Sequence, residues 1–327
     1  MRVAVIGTGF GARIVGDVYR GEGMEVDVVS PRDPDAVRAA IAAPVDLVSV
    51  HSPPFLHAEH VGWAIEHGRA VLCDKPFGRS TAEAEAMLAA AEAAGVLHLL
   101  NFEFRQEPTR VALRQALTDG CIGDPVHLHW TAFISGSRHP LRRFGWLFDR
   151  DAGGGWIGAY GSHVIDTVRW LMGEITDATG ICRTDITERP DVDGAMHRCT
   201  AEDAFTATLQ LASGAGATID TAFAAPANVV PRITLLGTEG IAELVGASEL
   251  RVRRAGEPDA VQTFARFDGD PHLPAMRPWA TIVRGAVEER RQITPSFADG
   301  VACARVMDAL RADAGSTDAP RKVSEQP

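Results

Sequence analysis

The sequence has no ordered cysteine pattern. Its five cysteines, Cys73, Cys121, Cys182, Cys199 and Cys303, are odd in number and widely spaced, with no Cys-x-x-Cys pair. Neither a disulfide framework nor a structural zinc site is supported. No stretch of about 18 apolar residues occurs, so no segment reads as a membrane span. The opening MRVAVIGTGF lacks the basic segment and long apolar run of a secretory leader, and the cytoplasm is the expected compartment. A surplus of positive charge is missing too. The formal net charge of −11 repels phosphate and argues against a nucleic-acid or anionic-membrane binder. Internal repeats and low-complexity tracts are also absent.

What is present reads as a soluble globular chain, 46% hydrophobic and 23% charged. Its 327 residues exceed one ordinary core, so two domains are the default. Apolar runs at 2–6, 24–29, 45–50, 70–73 and 96–101 suit buried strands. Helical stretches at 11–20, 34–43, 57–67, 81–94 and 107–118 alternate with them. That alternation predicts a doubly wound parallel sheet, a Rossmann domain over residues 1–120. After Gly120 the pattern changes. Residues 126–134 alternate like a strand, 162–172 look helical, and 175–265 is strand-rich with a hairpin signal at Ser213-Gly214. A strand fits 232–236, helices return at 278–290 and 296–312, and the tail from Gly315 is polar. Residues 121–327 are therefore expected to form an α+β domain with a large, mostly antiparallel sheet.

Gly7-Thr8-Gly9-Phe10-Gly11-Ala12 follows the first strand and opens the first helix. This is the GxGxxA form of the dinucleotide fingerprint. Gly7 permits the tight turn, Gly9 lets pyrophosphate approach the backbone, and Ala12 is expected to let helix pack on strand. The helix N-terminus then offers free N–H groups to the anion. A mere tight turn is the competing reading, but the motif stands at the head of a βα array. An acid closing the second strand would bond the ribose 2′-OH of NAD. Here the chain reads Val29-Ser30-Pro31-Arg32, with Asp27 inside the strand and Asp33 beyond it. Ser30 and Arg32 can donate to a 2′-phosphate, which points to NADP, with NAD the alternative. The competing reading makes Ser30-Pro31 a loop start and Arg32 a solvated side chain.

Three further segments read DLVSVHSPPFLH (46–57), RAVLCDKPFG (69–78) and GGGWIGAYGSHVID (153–166). With the glycine loop, they resemble the glucose–fructose oxidoreductase/inositol dehydrogenase (Gfo/Idh/MocA) family, over nearly the whole chain and in the same order. The resemblance implies that Ser52, Pro53, Pro54 and His57 pack against the cofactor. It also implies that Asp74-Lys75-Pro76 stands for the family's glutamate–lysine–proline, with Lys75 reaching both nicotinamide and the reacting hydroxyl. Asn101 and Arg105, in NFEFRQEP, match a segment facing cofactor and substrate. The family's Asp-x-Gly-x-His-x-x-Asp helix appears as Ala159-Tyr160-Gly161-Ser162-His163-Val164-Ile165-Asp166. His163 and Asp166 are kept, but the first aspartate is Ala159, one helical turn from His163. Asp166 shares the face of His163 and is expected to substitute in part, with Tyr160 a further polar group nearby. Histidine titrates near neutrality and can take a hydroxyl proton, while a lysine cation can stabilise an alkoxide. Lys75, His163 and Asp166 are accordingly the catalytic candidates.

Arg138, His139, Arg142 and Arg143 make a positive segment that ends at Trp146. Arginine forks suit carboxylate or phosphate. Arg138 and Trp146 are therefore candidates to face substrate, with a solvated or intersubunit loop as the competing reading. The histidines His51, His57, His60 and His67, and His127 with His129, lack a carboxylate or cysteine at metal-site spacing, so no metal is expected. The reading is an NAD(P)-dependent oxidoreductase moving hydride between nicotinamide and a secondary alcohol of a sugar, polyol or similar small molecule. The chain is expected to be a homo-oligomer, dimer or tetramer, through a sheet whose strands 203–211 and 216–224 are rich in apolar residues. Two other functions use the same parts: a nicotinamide-bound sensor without turnover, which Ala159 favours, and a redox-assisted glycosidase that restores its cofactor in each cycle.

Overall fold

The five buried apolar runs become five parallel strands. In the computed structural model, which describes residues 1–315, these are β1 (Arg2–Ile6), β2 (Glu25–Val29), β3 (Leu47–Val50), β4 (Ala70–Cys73) and β5 (His98–Leu100), in the order β2-β1-β3-β4-β5. The chain order reverses between β1 and β3, whose carboxyl ends therefore open a crevice. A wide π turn, Gly11–Val15, leads into α1 (Gly16–Gly21); α2 (Pro34–Ala42), α3 (His57–Glu66), α4 (Thr81–Ala94) and α5 (Pro108–Thr118) follow. Short polar side chains cap two of these helices. Asp33 accepts from Ala36 N at 3.0 Å to cap α2, and Ser80 accepts from Glu83 N at 3.2 Å to cap α4.

The second sheet has eight strands. They are β6 (Pro125–Phe133), β7 (Ile175–Arg183), β10 (Ala204–Leu211), β11 (Gly216–Ala222), β12 (Arg232–Gly237), β13 (Gly240–Val245), β14 (Glu249–Arg254) and β15 (Ala260–Thr263). Their order is β15-β14-β13-β12-β6-β11-β10-β7, antiparallel except for the β6–β11 pair. A separate small ribbon joins β8 (Glu188–Pro190) to β9 (Met196–Arg198). The inner face of the large sheet buries Leu128, Trp130, Phe205, Leu209 and Ile219. Its outer face is not the apolar one expected of 203–211 and 216–224. The alternation turns their apolar residues inward and leaves Thr206, Thr208, Thr218 and Asp220 outward.

Three helices complete the chain: α6 (Ser162–Met172), α7 (Leu273–Glu288) and α8 (Phe297–Gly315). The first of the two late helices was expected over 278–290. The helix begins at Leu273 instead, with Pro274 in its first turn and Pro278 inside it. Met276, Trp279 and Val283 of α7 join Val3, Val5, Leu47 and Leu99 in one core beneath the parallel sheet. α7 therefore returns to the first sheet, while α8 packs against α4 and β7. No described helix is long and apolar enough to cross a membrane, and all five cysteines are free.

Candidate active site

The loop after β1 is shaped by two glycines. Gly7 has φ +151°, and a Cβ there would meet the His51 carbonyl oxygen at 2.5 Å. Gly9 faces open space, the approach a pyrophosphate needs. The close packing expected at Ala12 occurs at Gly11, where a Cβ would lie 3.0 Å from His51 Cβ and 3.1 Å from Val5 Cγ1; Ala12 is half-buried. From this loop a cavity of about 410 Å³ runs past Arg32 and Ser52–Pro54 to Asp74, Lys75 and Glu103, with Trp146 and His272 on its wall. The residues fit a dinucleotide: an open glycine turn at one end, and a lysine over the sheet's carboxyl edge at the other. A hollow of about 530 Å³ on the outer face of the second sheet, around His129 and Thr218, holds none of the candidate residues.

At the β2 end, Ser30 and Arg32 fall in a tight turn, with Arg32 N donating to Ser30 Oγ at 3.3 Å. The exposed Arg32 guanidinium has no partner among the described residues, and it lines the cavity. Asp33, the nearest acid after the strand, is occupied in capping α2.

The turn after β4 anchors the other end. Lys75 Nζ donates to the Ala159 carbonyl at 2.6 Å, which ties the turn to the start of the α6 segment. Asp74 Oδ2 accepts from His51 Nδ1 at 3.1 Å, and Asp74 Oδ1 accepts from Lys75 N at 2.9 Å and Asn101 Nδ2 at 3.2 Å. Burial alone would push the Asp74 carboxyl up, but His51 and Lys75 overcome it and hold it far below the usual carboxylate range. A chain of polar contacts continues from His51 Nε2 to Ser49 Oγ at 2.8 Å and from Ser49 Oγ to Tyr19 OH at 3.3 Å.

His57 does not reach the cavity. Its ring is buried between the Ser52 carbonyl, 2.8 Å from Nε2, and the Pro76 carbonyl, 3.1 Å from Nδ1. Burial pushes it toward the neutral form, so it donates to one carbonyl at a time and pins the β3 loop to the Lys75 turn. His163 sits behind the cavity wall and not on it, as does Tyr160, and is buried against the rings of Phe104 and Phe102, at centroid distances of 4.5 and 5.8 Å. Burial, and then the charges of Lys75, Arg110 and His272, hold it well below the usual histidine value. It is therefore a neutral imidazole, and its Nε2 has no hydrogen-bond partner.

Asp166 and Arg105 are brought together, though not on the cavity wall. Arg105 Nε and Nη2 donate to Asp166 at 2.9 and 2.6 Å, and Nη2 also reaches Asp299 Oδ1 at 2.8 Å. Asp166 makes its hydrogen bonds to Arg105 and none to His163. The expected help from Asp166 is thus replaced by a buried ion pair that fastens α6 to the β5 segment. Arg138 Nε is spent on the Ala224 carbonyl at 2.6 Å, and Arg138 lies off the cavity. Tyr160 OH accepts from Trp130 Nε1 at 3.1 Å, and its ring stacks on Trp156 with centroids 4.7 Å apart. Three side chains on the wall that bond to other polar groups were not singled out as site residues from the sequence: His51, Glu103 and His272. Glu103 carried a signal, an acid two residues from Asn101 in NFEFRQEP; His272 carried none, because its place depends on α7 folding back.

Family comparison decides what this arrangement belongs to. A model described as "Oxidoreductase family, NAD-binding Rossmann fold" matches residues 1–102, and one for the GFO/IDH/MocA C-terminal domain matches residues 111–243. The chain belongs to the Gfo/Idh/MocA oxidoreductase family. This Gfo/Idh/MocA protein is 26% identical to levoglucosan dehydrogenase of Pseudarthrobacter phenanthrenivorans, over 81% of this chain and 77% of that one. It is 28% identical to inositol 2-dehydrogenase 1 of Saccharopolyspora erythraea, over 100% and 98%. A solved levoglucosan dehydrogenase, in complex with NADH and levoglucosan, shares the fold with a TM-score of 0.84 at 24% identity, over 97% of both chains. As a member of this family the protein is an NAD(P)-dependent oxidoreductase, and its parallel sheet is the NAD-binding part.

Proposed function

We propose that this oxidoreductase acts on a secondary alcohol of a sugar or polyol, or on the matching ketone, and prefers NADP(H) to NAD(H). The carrying observation is the cavity that joins the open glycine turn to Lys75. Relatives named levoglucosan dehydrogenase and inositol 2-dehydrogenase supply the substrate class. A bound nicotinamide supplies the hydride acceptor. Lys75 stabilises the negative charge that develops on the alcohol oxygen. His163, neutral through burial, takes the hydroxyl proton. The glycine turn, Gly7 to Gly11 with Phe10, would hold the pyrophosphate, and Ser52, Pro53, Pro54 and Asp74 on the cavity wall would hold the nicotinamide end, with Asn101 supporting Asp74 from behind. Trp146 stands over the substrate end. The unpaired Arg32, together with Ser30, supports NADP, since a 2′-phosphate would give that guanidinium its partner.

The same reading divides the chain into a cofactor part, residues 1–120 with α7 returning beneath it, and a substrate part from residue 121. It also includes a homo-oligomer, dimer or tetramer, joined through the outer face of the large sheet. Exposed Ile181, Leu236, Ile241 and Val261 stand there among threonines. A cytoplasmic site suits the five free cysteines. The test is a panel of sugars and polyols with both cofactors, run in both directions. Turnover with a member of the panel, lost in Lys75→Met, supports the proposal; no turnover with any of them refutes it.

A further inference from the structure

Position 159 carries alanine where the family resemblance calls for aspartate one turn before His163. A carboxylate from another element lies beside that imidazole. Glu103, in the short turn after β5, is fully buried. Its Oε1 accepts from His272 Nδ1 at 2.8 Å and lies 4.0 Å from His163 Nε2. Neither Glu103 Oε2 nor His163 Nε2 has a hydrogen-bond partner. Buried polar atoms are nearly always paired, so two orphans on neighbouring side chains need an explanation. Phe104 holds the group together, stacked on His272 at 5.1 Å and packed on His163 at 4.5 Å. Glu103 also lines the cavity that contains Lys75 and Asp74.

We propose that Glu103 is the positioning carboxylate of this site, supplying to His163 from the β5 turn the charge that Ala159 cannot. This deepens the functional reading and rests on it. When the alcohol is oxidised, a bound oxidised nicotinamide would take the carbinol hydrogen with its electron pair as the C–H bond breaks. The O–H proton passes to His163 and the carbonyl forms. That step creates a buried imidazolium. The cations that face it, Lys75 from the β4 turn and Arg110 from α5, disfavour it, as does His272 from the start of α7. Glu103 is the group within 4.0 Å that favours it. A buried cation beside a carboxylate is strongly stabilised relative to one without. His272 holds Glu103 in place, so the His163 partner is anchored from the start of α7 instead of from its own helix.

Glu103→Gln keeps the shape and removes the charge. We expect kcat to fall about tenfold or more, with KM changed by less than about threefold. The deciding variant transplants the carboxylate. Ala159→Asp in the Glu103→Gln background should recover about tenfold, and in the wild type it should give no gain, since two carboxylates would then crowd one imidazole. A second readout needs no turnover. The His163 imidazole resonance, identified by its loss in His163→Asn, should titrate at lower pH in Glu103→Gln than in the wild type. Wild-type kcat and an unmoved titration in Glu103→Gln overturn the proposal. So does a loss that Ala159→Asp fails to repair, which would leave Glu103 as an anchor for His272 alone. If the wild type turns over no sugar or polyol, the functional reading fails by itself, and the titration still decides the role of Glu103.

Discussion

Lys75 has its amino group fixed on the Ala159 carbonyl, at the edge of a cavity whose far end is the glycine turn. A cation so placed acts on charge that appears in the transition state. Lys75→Met should therefore lower kcat about a hundredfold or more while cofactor affinity stays within a few-fold; single-turnover kinetics and cofactor titration separate the two. At the opposite end, Arg32→Ala should weaken NADP binding and leave NAD binding unchanged, as read by titration of both. An equal effect on both cofactors would contradict the 2′-phosphate assignment. Asp166 makes a structural prediction. Its carboxyl satisfies a buried arginine, so Asp166→Ala should cost about 3 kcal/mol of stability in chemical denaturation, and a loss under about 1 kcal/mol would contradict that role. Lys75, Ser52 and Arg32 were legible in the sequence because local motifs fix them at strand ends. The pairing of Arg105 with Asp166 was not, because it joins residues 61 apart. Glu103 was quoted within its segment, but its meaning depends on the partner that α7 delivers.

At the scale of elements, the βα alternation and the hairpin were legible because each strand carries its own apolar period. The strands β13 to β15 were seen only as a strand-rich region, since Arg, Glu and Thr on their outer face blur the pattern. Several histidines link elements through burial. His57 and His60 on α3 and His163 on α6 are all pushed toward the neutral form, His60 to about 4. Unfolding returns them to their ordinary value of 6.5, so the unfolded chain binds more protons below it. Their stabilising effect is present above about pH 6.5 and is lost as pH falls, by up to about 1.4 kcal/mol per pH unit for each. Denaturation midpoints at about pH 7.5, 6 and 5 should decline steadily; a flat profile across that window would contradict it.

For the whole molecule, the two-sheet plan was legible from the change of pattern after Gly120, and the return of α7 to the first core was not, because amphipathic helices do not name the face they cover. The outer face of the large sheet gives a prediction at this scale. Light scattering at micromolar concentration should show an oligomer, and Ile181→Glu with Ile241→Glu should shift it toward monomer; an unchanged assembly would move the interface elsewhere. The central claim concerns hydride. The most direct measurement uses a substrate from the panel with deuterium on its carbinol carbon and follows the label by mass spectrometry of the recovered cofactor. The account predicts that deuterium appears in the reduced nicotinamide in step with ketone formed. A cofactor that binds but never gains the label, or one that returns it to the sugar within each cycle, would contradict it.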